Sequence, residues 1–233
     1  MIDWHSHILP AMDDGSRDPD ESIAMIDALA SQGIDTVIAT PHFYANEESV
    51  ETFLSRREES YAMLHAQTKS KDVRVVCGAE VKYYPGISRM ESLDRLTIGK
   101  SKLLLLEMPF AKWSDHTVKE LVELVNTSGL RIVMAHIERY PAVQDKRLLE
   151  SLIDAGLLMQ VNASYFDRFI TKQKAIKLLE VGCIHFVGSD CHNMTTRPPK
   201  IGSAYEWIQR KLGESFALQM NEYGYHALEY TPQ

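Results

Sequence analysis

Short apolar runs alternate with amphipathic segments along almost the whole chain. The first run, Ile2-Asp3-Trp4-His5-Ser6-His7, reads as a β-strand, on which alternate side chains share a face, so His5 and His7 point the same way. Ser16-Arg17-Asp18-Pro19 then supplies cap residues and a first-turn proline for a helix through Ala30, with Gly33 placed to end it. Its buried stripe is expected at Ile23, Ile26, Leu29 and Ala30. The β-branched run Thr36-Val37-Ile38-Ala39-Thr40 ends in Pro41-His42. A charged segment from Glu47 to about Ser70 carries Val50, Leu54, Tyr61 and Leu64 on its inner side. The next run, Val73 to Ala79, finishes at Glu80. After a loop containing Tyr83-Tyr84-Pro85-Gly86 comes Leu103-Leu104-Leu105-Leu106, finishing at Glu107.

The second half keeps the rhythm. Ser114 can cap a helix with Val118, Leu121, Val122 and Val125 inward, closed by Gly129. Arg131 to Ala135 ends at His136. A helix from about Lys146 to Ala155 precedes Leu157 to Val161, which ends at Asn162. Another helix, Thr171 to Val181, leads into Ile184 to Ser189, which ends at Asp190-Cys191-His192. The last amphipathic helix runs from near Ile201 to Leu212, and the pattern beyond it is weaker. This makes seven β-then-α units, which imply parallel strands with helical crossovers. No composition shift marks a boundary, so residues 1–233 are expected to form one α/β domain, an irregular seven-stranded barrel. An open doubly wound sheet is the alternative, weakened by the lack of GxGxxG after the first strand and of a phosphate-loop lysine motif.

Composition narrows the function classes without choosing among them. A net charge of −7 argues against sequence-independent nucleic-acid binding, which needs a basic surface. No apolar run approaches a membrane span, and the opening residues lack a basic-then-apolar leader pattern. The three cysteines, Cys77, Cys183 and Cys191, are dispersed and do not read as a disulfide framework, so a reducing cytoplasm is expected.

Chemistry enters with the positions of the polar residues. His5 and His7, His42, Glu80, Glu107, His136, and Asp190 with His192 each fall at or just past the C-terminal end of an expected strand. In a parallel barrel those ends meet on one face, where barrel enzymes carry their active sites. Six of the seven strands deliver an imidazole or carboxylate there, and Asp14 lies on the turn after the first. Each alone could be a core histidine or a helix cap. Together they point to metal binding. Nine candidates exceed what one zinc ion takes and suit two or three ions with bridging carboxylates. Mixed nitrogen and oxygen ligation without thiolate favours manganese, iron or zinc.

Two arginines flank these candidates, Arg139 in His136-Ile137-Glu138-Arg139-Tyr140 and Arg197 in Thr196-Arg197-Pro198-Pro199. A guanidinium fork matches phosphate oxygens. Beside a metal cluster with surplus positive charge, the two favour a phosphate ester as substrate, attacked in line by metal-activated hydroxide. Cys191 to Arg197 has the Cys-x5-Arg spacing of thiol-dependent tyrosine phosphatases. No glycine lies between them, however, and Asp190 would raise rather than lower the thiol pKa.

These motifs, taken with Asp13-Asp14-Gly15, Gly78-Ala79-Glu80 and Gly188-Ser189-Asp190-Cys191-His192-Asn193, make the chain resemble the PHP (polymerase and histidinol phosphatase) superfamily. It is most similar to the bacterial manganese-dependent protein-tyrosine phosphatases of capsule and exopolysaccharide clusters, from residue 1 to roughly 210. The resemblance implies a distorted (β/α)7 barrel with a trinuclear centre. One ion would be held by His5, His7, Glu80 and Asp190, a second by Glu80, Glu107 and His136, and a third by Asp14, His42 and His192. Arg139 and Arg197 would grip the phosphate. The implied substrate is phosphotyrosine on a cognate, membrane-associated tyrosine kinase that controls polysaccharide synthesis. Phe43-Tyr44-Ala45-Asn46 after His42, and Tyr223-Gly224-Tyr225-His226, depart from the family pattern. Two readings compete: a PHP phosphatase or phosphodiesterase with another substrate, histidinol phosphate among them, and a non-catalytic metal protein with Tyr83, Tyr84, Tyr140 and Tyr165 as a partner-binding rim.

Overall fold

The computed structural model describes residues 1–68 and 72–229. In chain order its elements are β1 (Ile2–Ser6), α1 (Pro19–Ala30), β2 (Thr36–Ala39), β3 (His42–Phe43), α2 (Val50–Thr68), β4 (Arg74–Cys77), β5 (Glu80–Lys82) and β6 (Leu103–Glu107). There follow α3 (Asp115–Thr127), β7 (Arg131–Met134), α4 (Lys146–Asp154), β8 (Leu158–Asn162), α5 (Phe169–Glu180), β9 (Phe186–Gly188), α6 (Gly202–Leu212) and α7 (Glu214–Glu229). Ser70, placed at the end of the second helix from sequence, lies outside the described residues.

The strands run parallel in two ladders, β1-β2-β4 and β3-β5-β6-β7-β8-β9. The ladders belong to one curled sheet, because β3 resumes β2 past Thr40-Pro41 and β5 resumes β4 past Gly78-Ala79. Gly78 N–H donates to the Ala39 carbonyl at 2.8 Å, and Glu80 N–H donates to that of Pro41 at 3.0 Å. Glu80 therefore opens a short strand rather than ending a long one. At the other edge β9 meets β1 through a bridge between Ser6 and Cys191. Asp190 N–H donates to the His5 carbonyl at 2.7 Å there, and His7 N–H to that of Cys191 at 2.9 Å. The result is a distorted barrel of seven strand positions, not an open doubly wound sheet. The third β-then-α unit lacks its helix: between β5 and β6 the chain makes only 3-10 turns at 87–89 and 93–96.

Alternate strand residues sort into two cores, as period-two patterning requires. Ile2, Trp4, Ile38, Val76, Leu103, Leu105, Val133, Leu158 and Phe186 fill the barrel. Val37, Ala39, Leu104, Leu106, Ile132, Met134, Met159, Val161 and Val187 face outward against the helices. Local chemistry sets the helix starts. Asp18 accepts a hydrogen bond from Glu21 N–H with Pro19 as the first helical residue of α1, and Ser114 accepts one from Thr117 N–H at the start of α3. On α1, Ile26 and Leu29 are buried as expected and are joined by Ser22 and Met25, while Ile23 is half-buried and Ala30 exposed.

Two buried features were not legible in the pattern. α7, unassigned from sequence, places Ala227 and Leu228 in the barrel core and so plugs its N-terminal end. Gly224 lets the helix close in, since a Cβ there would lie 3.0 Å from the Trp4 ring. Glu120 is buried on α3, where it accepts hydrogen bonds from the Tyr83 hydroxyl and Gly86 N–H, both at 2.6 Å. Tyr83 and Tyr140 are buried, and the Tyr140 hydroxyl accepts from Met108 N–H at 3.0 Å, so this part of the proposed tyrosine rim packs internally.

Candidate metal centre

All nine candidate ligands converge at the C-terminal mouth of the barrel. They fall into four overlapping groups whose donor atoms lie within 4.8 Å of one another: His7, Asp14, His42 and His192; His5, His136 and Asp190; His5, His7 and Glu80; and His42, Glu80 and Glu107. Asp14, His42 and His192 stand together with His7; His42 also stands with Glu80 and Glu107, and His136, grouped with His5 and Asp190, has its Nε2 2.8 Å from Glu80 Oε1.

The backbone is specialised to bring them together. The β1–β2 register slips between Asp3 and Ser6, just where the strand passes from barrel core to ligands. His136 and Asp190 both have left-handed backbones, with φ of 56° and 54°, a conformation costly for residues other than glycine. Gly188 permits β9 to approach β1, because a Cβ there would lie 2.5 Å from that of His5. Asp3 stitches the same strands by accepting from Ser189 N–H at 2.7 Å and from its hydroxyl at 2.6 Å.

The histidines are oriented as metal ligands are, with one nitrogen tied to an oxygen and the other free to coordinate. His5 Nδ1 lies 3.3 Å from Gln160 Oε1, His7 Nδ1 2.7 Å from Asp13 Oδ2, His136 Nδ1 3.1 Å from Asn162 Oδ1 and His192 Nδ1 3.0 Å from the Asp190 carbonyl. Their Nε2 atoms turn into the mouth, those of His5 and His7 only 3.1 Å apart. His42 is reversed, with Nδ1 3.0 Å from Glu80 Oε2 and Nε2 3.4 Å from Asp14 Oδ1.

Three buried atoms test whether cations fit. Glu80 Oε2, Asp190 Oδ1 and His192 Nε2 have no hydrogen-bond partner among the described residues. Glu80 Oε2 lies 3.0 Å from His42 Nδ1, 3.2 Å from His5 Nε2 and 3.4 Å from His7 Nε2, and Asp190 Oδ1 lies 2.7 Å from Arg197 Nη2, none of them in hydrogen-bonding alignment. Orphaned buried acceptors of this kind are costly, and divalent cations between them would satisfy all three. The donor set, five imidazoles and four carboxylates, fits such ions.

Charge coupling agrees. Burial alone would raise the Glu80 carboxyl pKa, yet the charge of His5 and the hydrogen bond with His136 hold it well below the usual range. Asp190 is likewise lowered, its burial overcome by His5, His136 and His7. Burial would depress His7, but Asp13 and Glu80 push it up to about 10. His192 falls to about 4 through burial and the facing charges of His7 and Arg197. Cation binding here would displace protons.

Arg139 and Arg197 stand at the lip of a cleft of about 490 Å³ that also takes in Tyr44, Lys82, Asp167 and Lys200. Arg197 Nη2 lies 2.7 Å from Asp190 Oδ1, and Arg139 lies 3.5 Å from both Glu107 Oε1 and Asp190 Oδ2. Arg139 does not pair with Glu138, whose carboxylate accepts from Asn162 N–H. Asn193 shapes the second arginine's loop, its Oδ1 accepting from the N–H groups of Thr195, Thr196 and Arg197.

Sequence reasoning missed the residues that orient the ligands. Asp13 accepts from His42 N–H at 2.8 Å besides holding His7, and nothing in Asp13-Asp14 says which carboxylate orients and which ligates. Asn162 donates to Asp190 Oδ2 at 2.7 Å. It ends β8, the one strand end left without a role, and with Gln160 it forms an alternating polar pair on an otherwise apolar strand. Asp13→Asn is expected to lower metal affinity and activity by about 10- to 100-fold with the fold intact; equal affinity by metal titration would deny Asp13 this role. Cys191 is fully buried in the core outside the barrel, and burial and Asp3 push its thiol pKa well up. Cys191→Ser is accordingly expected to keep phosphatase turnover within about threefold of wild type.

Comparisons with known proteins point the same way. Residues 1–223 match the family model for capsular polysaccharide synthesis, CpsB/CapC. The chain is 33% identical over 241 residues to the tyrosine-protein phosphatase CpsB of Streptococcus pneumoniae, covering 94% of each. It is 31% identical to the tyrosine-protein phosphatase YwqE of Bacillus subtilis, covering 95% of this chain and 89% of that one. A crystal structure from the pair YwqE of B. subtilis and CpsB of S. pneumoniae, described as unique metal-dependent tyrosine phosphatases, superposes with a TM-score of 0.85 at 29% identity, covering 98% of this chain and 94% of the other. Histidinol phosphate phosphatase from Lactococcus lactis shares the fold at a TM-score of 0.58 and 14% identity, covering 90% of this chain and 92% of that one. The chain belongs to the CpsB/CapC family of capsular polysaccharide synthesis proteins.

Proposed function

We propose that this protein is a metal-dependent protein-tyrosine phosphatase, with residues 1–233 as a single catalytic unit. The observation that carries this reading is the meeting of nine imidazole and carboxylate donors at the barrel mouth, where His42, Glu107, His136 and Asp190 line a cleft with two arginines at its lip. His5, His7, Asp14, His42, Glu80, Glu107, His136, Asp190 and His192 would hold two or three ions, manganese in preference to iron or zinc. When bound, such ions lower the pKa of water toward neutrality and act as Lewis acids on phosphoryl oxygens. The chain's own groups do the rest. Asp13, Gln160 and Asn162 fix the imidazoles that hold the ions. Arg139 and Arg197 bind the phosphate oxygens and hold phosphorus in line for attack. Both guanidiniums rest on carboxylates that would ligate metal, which places them within reach of a phosphate seated there.

The substrate is read as phosphotyrosine on a membrane-associated bacterial tyrosine kinase of polysaccharide synthesis, supported by the relatives' activity and by the family. No helix among the described residues is long and apolar enough to cross a membrane, and the three cysteines are free thiols. A cytoplasmic site of action fits both.

The test is a panel of phosphotyrosine peptide and histidinol phosphate, with and without chelator. Chelation is expected to abolish peptide turnover and Mn²⁺ to restore it, with kcat/KM higher for the peptide. Turnover that survives chelation but disappears in Cys191→Ser would refute the metal mechanism. Better turnover of histidinol phosphate would transfer the site to a small-molecule substrate.

A further inference from the structure

The cleft shares a wall with a second hollow. Asp167, on the cleft's edge, also lines a groove of about 330 Å³ between α5 and α6, together with Phe166, Lys172, Glu206, Trp207 and Arg210. Both helices begin on the cleft side of the barrel, α5 after β8 and α6 after the loop that carries Arg197. Trp207 is the centre of the groove. Lys172 Nζ lies 4.2 Å from an indole ring centroid, Lys211 Nζ 4.9 Å, and the Arg210 guanidinium carbon 5.5 Å. Among the described residues, none of these three cations is paired with a carboxylate. The indole N–H of Trp207 is shut from solvent and has no hydrogen-bond partner among them either.

Two cations, Lys172 and Arg210, line the groove, and Lys211 stands on the same ring outside it. The face of the indole attracts the cations but does not neutralise them, and Asp167 and Glu206, which also line the groove, are paired with neither Lys172 nor Arg210 among the described residues. An anion would be held by charge-assisted hydrogen bonds from Lys172 and Arg210. The lip of the groove suits a polypeptide more than a free ion. Phe169 and Ile170, at the start of α5, are 70% and 69% exposed, and Lys172 also stands 5.9 Å over the Phe169 ring. Large apolar side chains left this open beside a charged pocket are a common mark of a binding surface.

We propose that this groove is a second anion subsite, taking a phosphorylated or acidic residue of the same phosphoprotein segment whose phosphotyrosine enters the metal cleft; the assignment rests on the function proposed above. Asp167, between the two hollows, would keep the connecting residues from being acidic themselves. An extended peptide advances about 3.3 Å per residue, so placing the second anion two to six residues from the phosphotyrosine samples separations of about 7 to 20 Å.

The experiment uses the Mn²⁺-loaded protein and peptides with one phosphotyrosine and, at each of those spacings, a second phosphotyrosine, a glutamate or an alanine. At the best spacing the second anion is expected to lower KM by about tenfold relative to alanine, with kcat unchanged. Lys172→Ala/Arg210→Ala is expected to erase that difference and leave turnover of free phosphotyrosine as in wild type. A response to glutamate as well as phosphotyrosine would define the subsite as one for acidic residues generally, and a response to phosphotyrosine alone as one for a dianion. No preference in the wild type at any spacing, or an undiminished preference in the double variant, would overturn the proposal. Absence of phosphotyrosine turnover in the wild type would instead strike the proposed function. Calorimetric titration with the same peptides then decides the subsite, equal affinities for wild type and double variant refuting it.

Discussion

Glu80→Gln is expected to reduce phosphotyrosine turnover by at least about a thousandfold and to strip the centre of metal. Glu80 is fully buried and faces four imidazoles: His136 Nε2 at 2.8 Å, His42 Nδ1 at 3.0 Å, His5 Nε2 at 3.2 Å and His7 Nε2 at 3.4 Å. Alone among the four candidate carboxylates it belongs to two of the donor groups, so it is the carboxylate best placed to bridge ions. Glutamine has almost the same shape, and an effect of that size would come from the missing charge rather than from packing. The amide would also turn an N–H₂ group toward nitrogens that need to present lone pairs. Metal analysis and circular dichroism on the purified variant check this: a folded protein with wild-type metal content would contradict the role given to Glu80.

The second large effect is expected at the phosphate end. Arg197→Ala should lower kcat/KM for phosphotyrosine peptide by about a hundredfold while metal content stays at the wild-type level. Its loop is built to present the guanidinium: Asn193 gathers three backbone N–H groups, and the Arg197 carbonyl accepts from His192 N–H at 2.9 Å. Arg197→Lys should recover little, because an ammonium lacks the planar fork that meets two phosphate oxygens. Loss of metal in Arg197→Ala would mean that the arginine serves Asp190 rather than the substrate. Unchanged kinetics would remove it from the site.

The barrel was legible because parallel strands buried on both sides leave short apolar runs, and each run ended in a residue of distinctive chemistry. His5 and His7 could be paired from strand geometry alone, and Glu107, His136 and Asp190 from their places just beyond apolar runs. What sequence did not show depends on tertiary approach. Nothing local says that His136 and Asp190 adopt left-handed backbones, since those conformations are held by the surrounding structure. Gln160 and Asn162 look like ordinary strand polars until the fold sets them against His5 and His136. α7 escaped because its buried face is only Gly224, Ala227 and Leu228, too few for a strong periodic stripe, and the worth of Gly224 lies in close fit over Trp4. The break of β4 at Gly78-Ala79 is of the same kind: the run reads as continuous, and the turn appears only where Gly78 N–H reaches across to β2.

The central claim is that the nine converging donors form a multinuclear centre on which catalysis depends. Its most direct test is to measure metal per chain by mass spectrometry while titrating Mn²⁺ into chelated protein and following phosphotyrosine peptide turnover in the same samples. The account predicts saturation at two or three ions per chain, with turnover rising only as the last sites needed for catalysis fill. Full turnover in protein holding less than about a tenth of an ion per chain would contradict it.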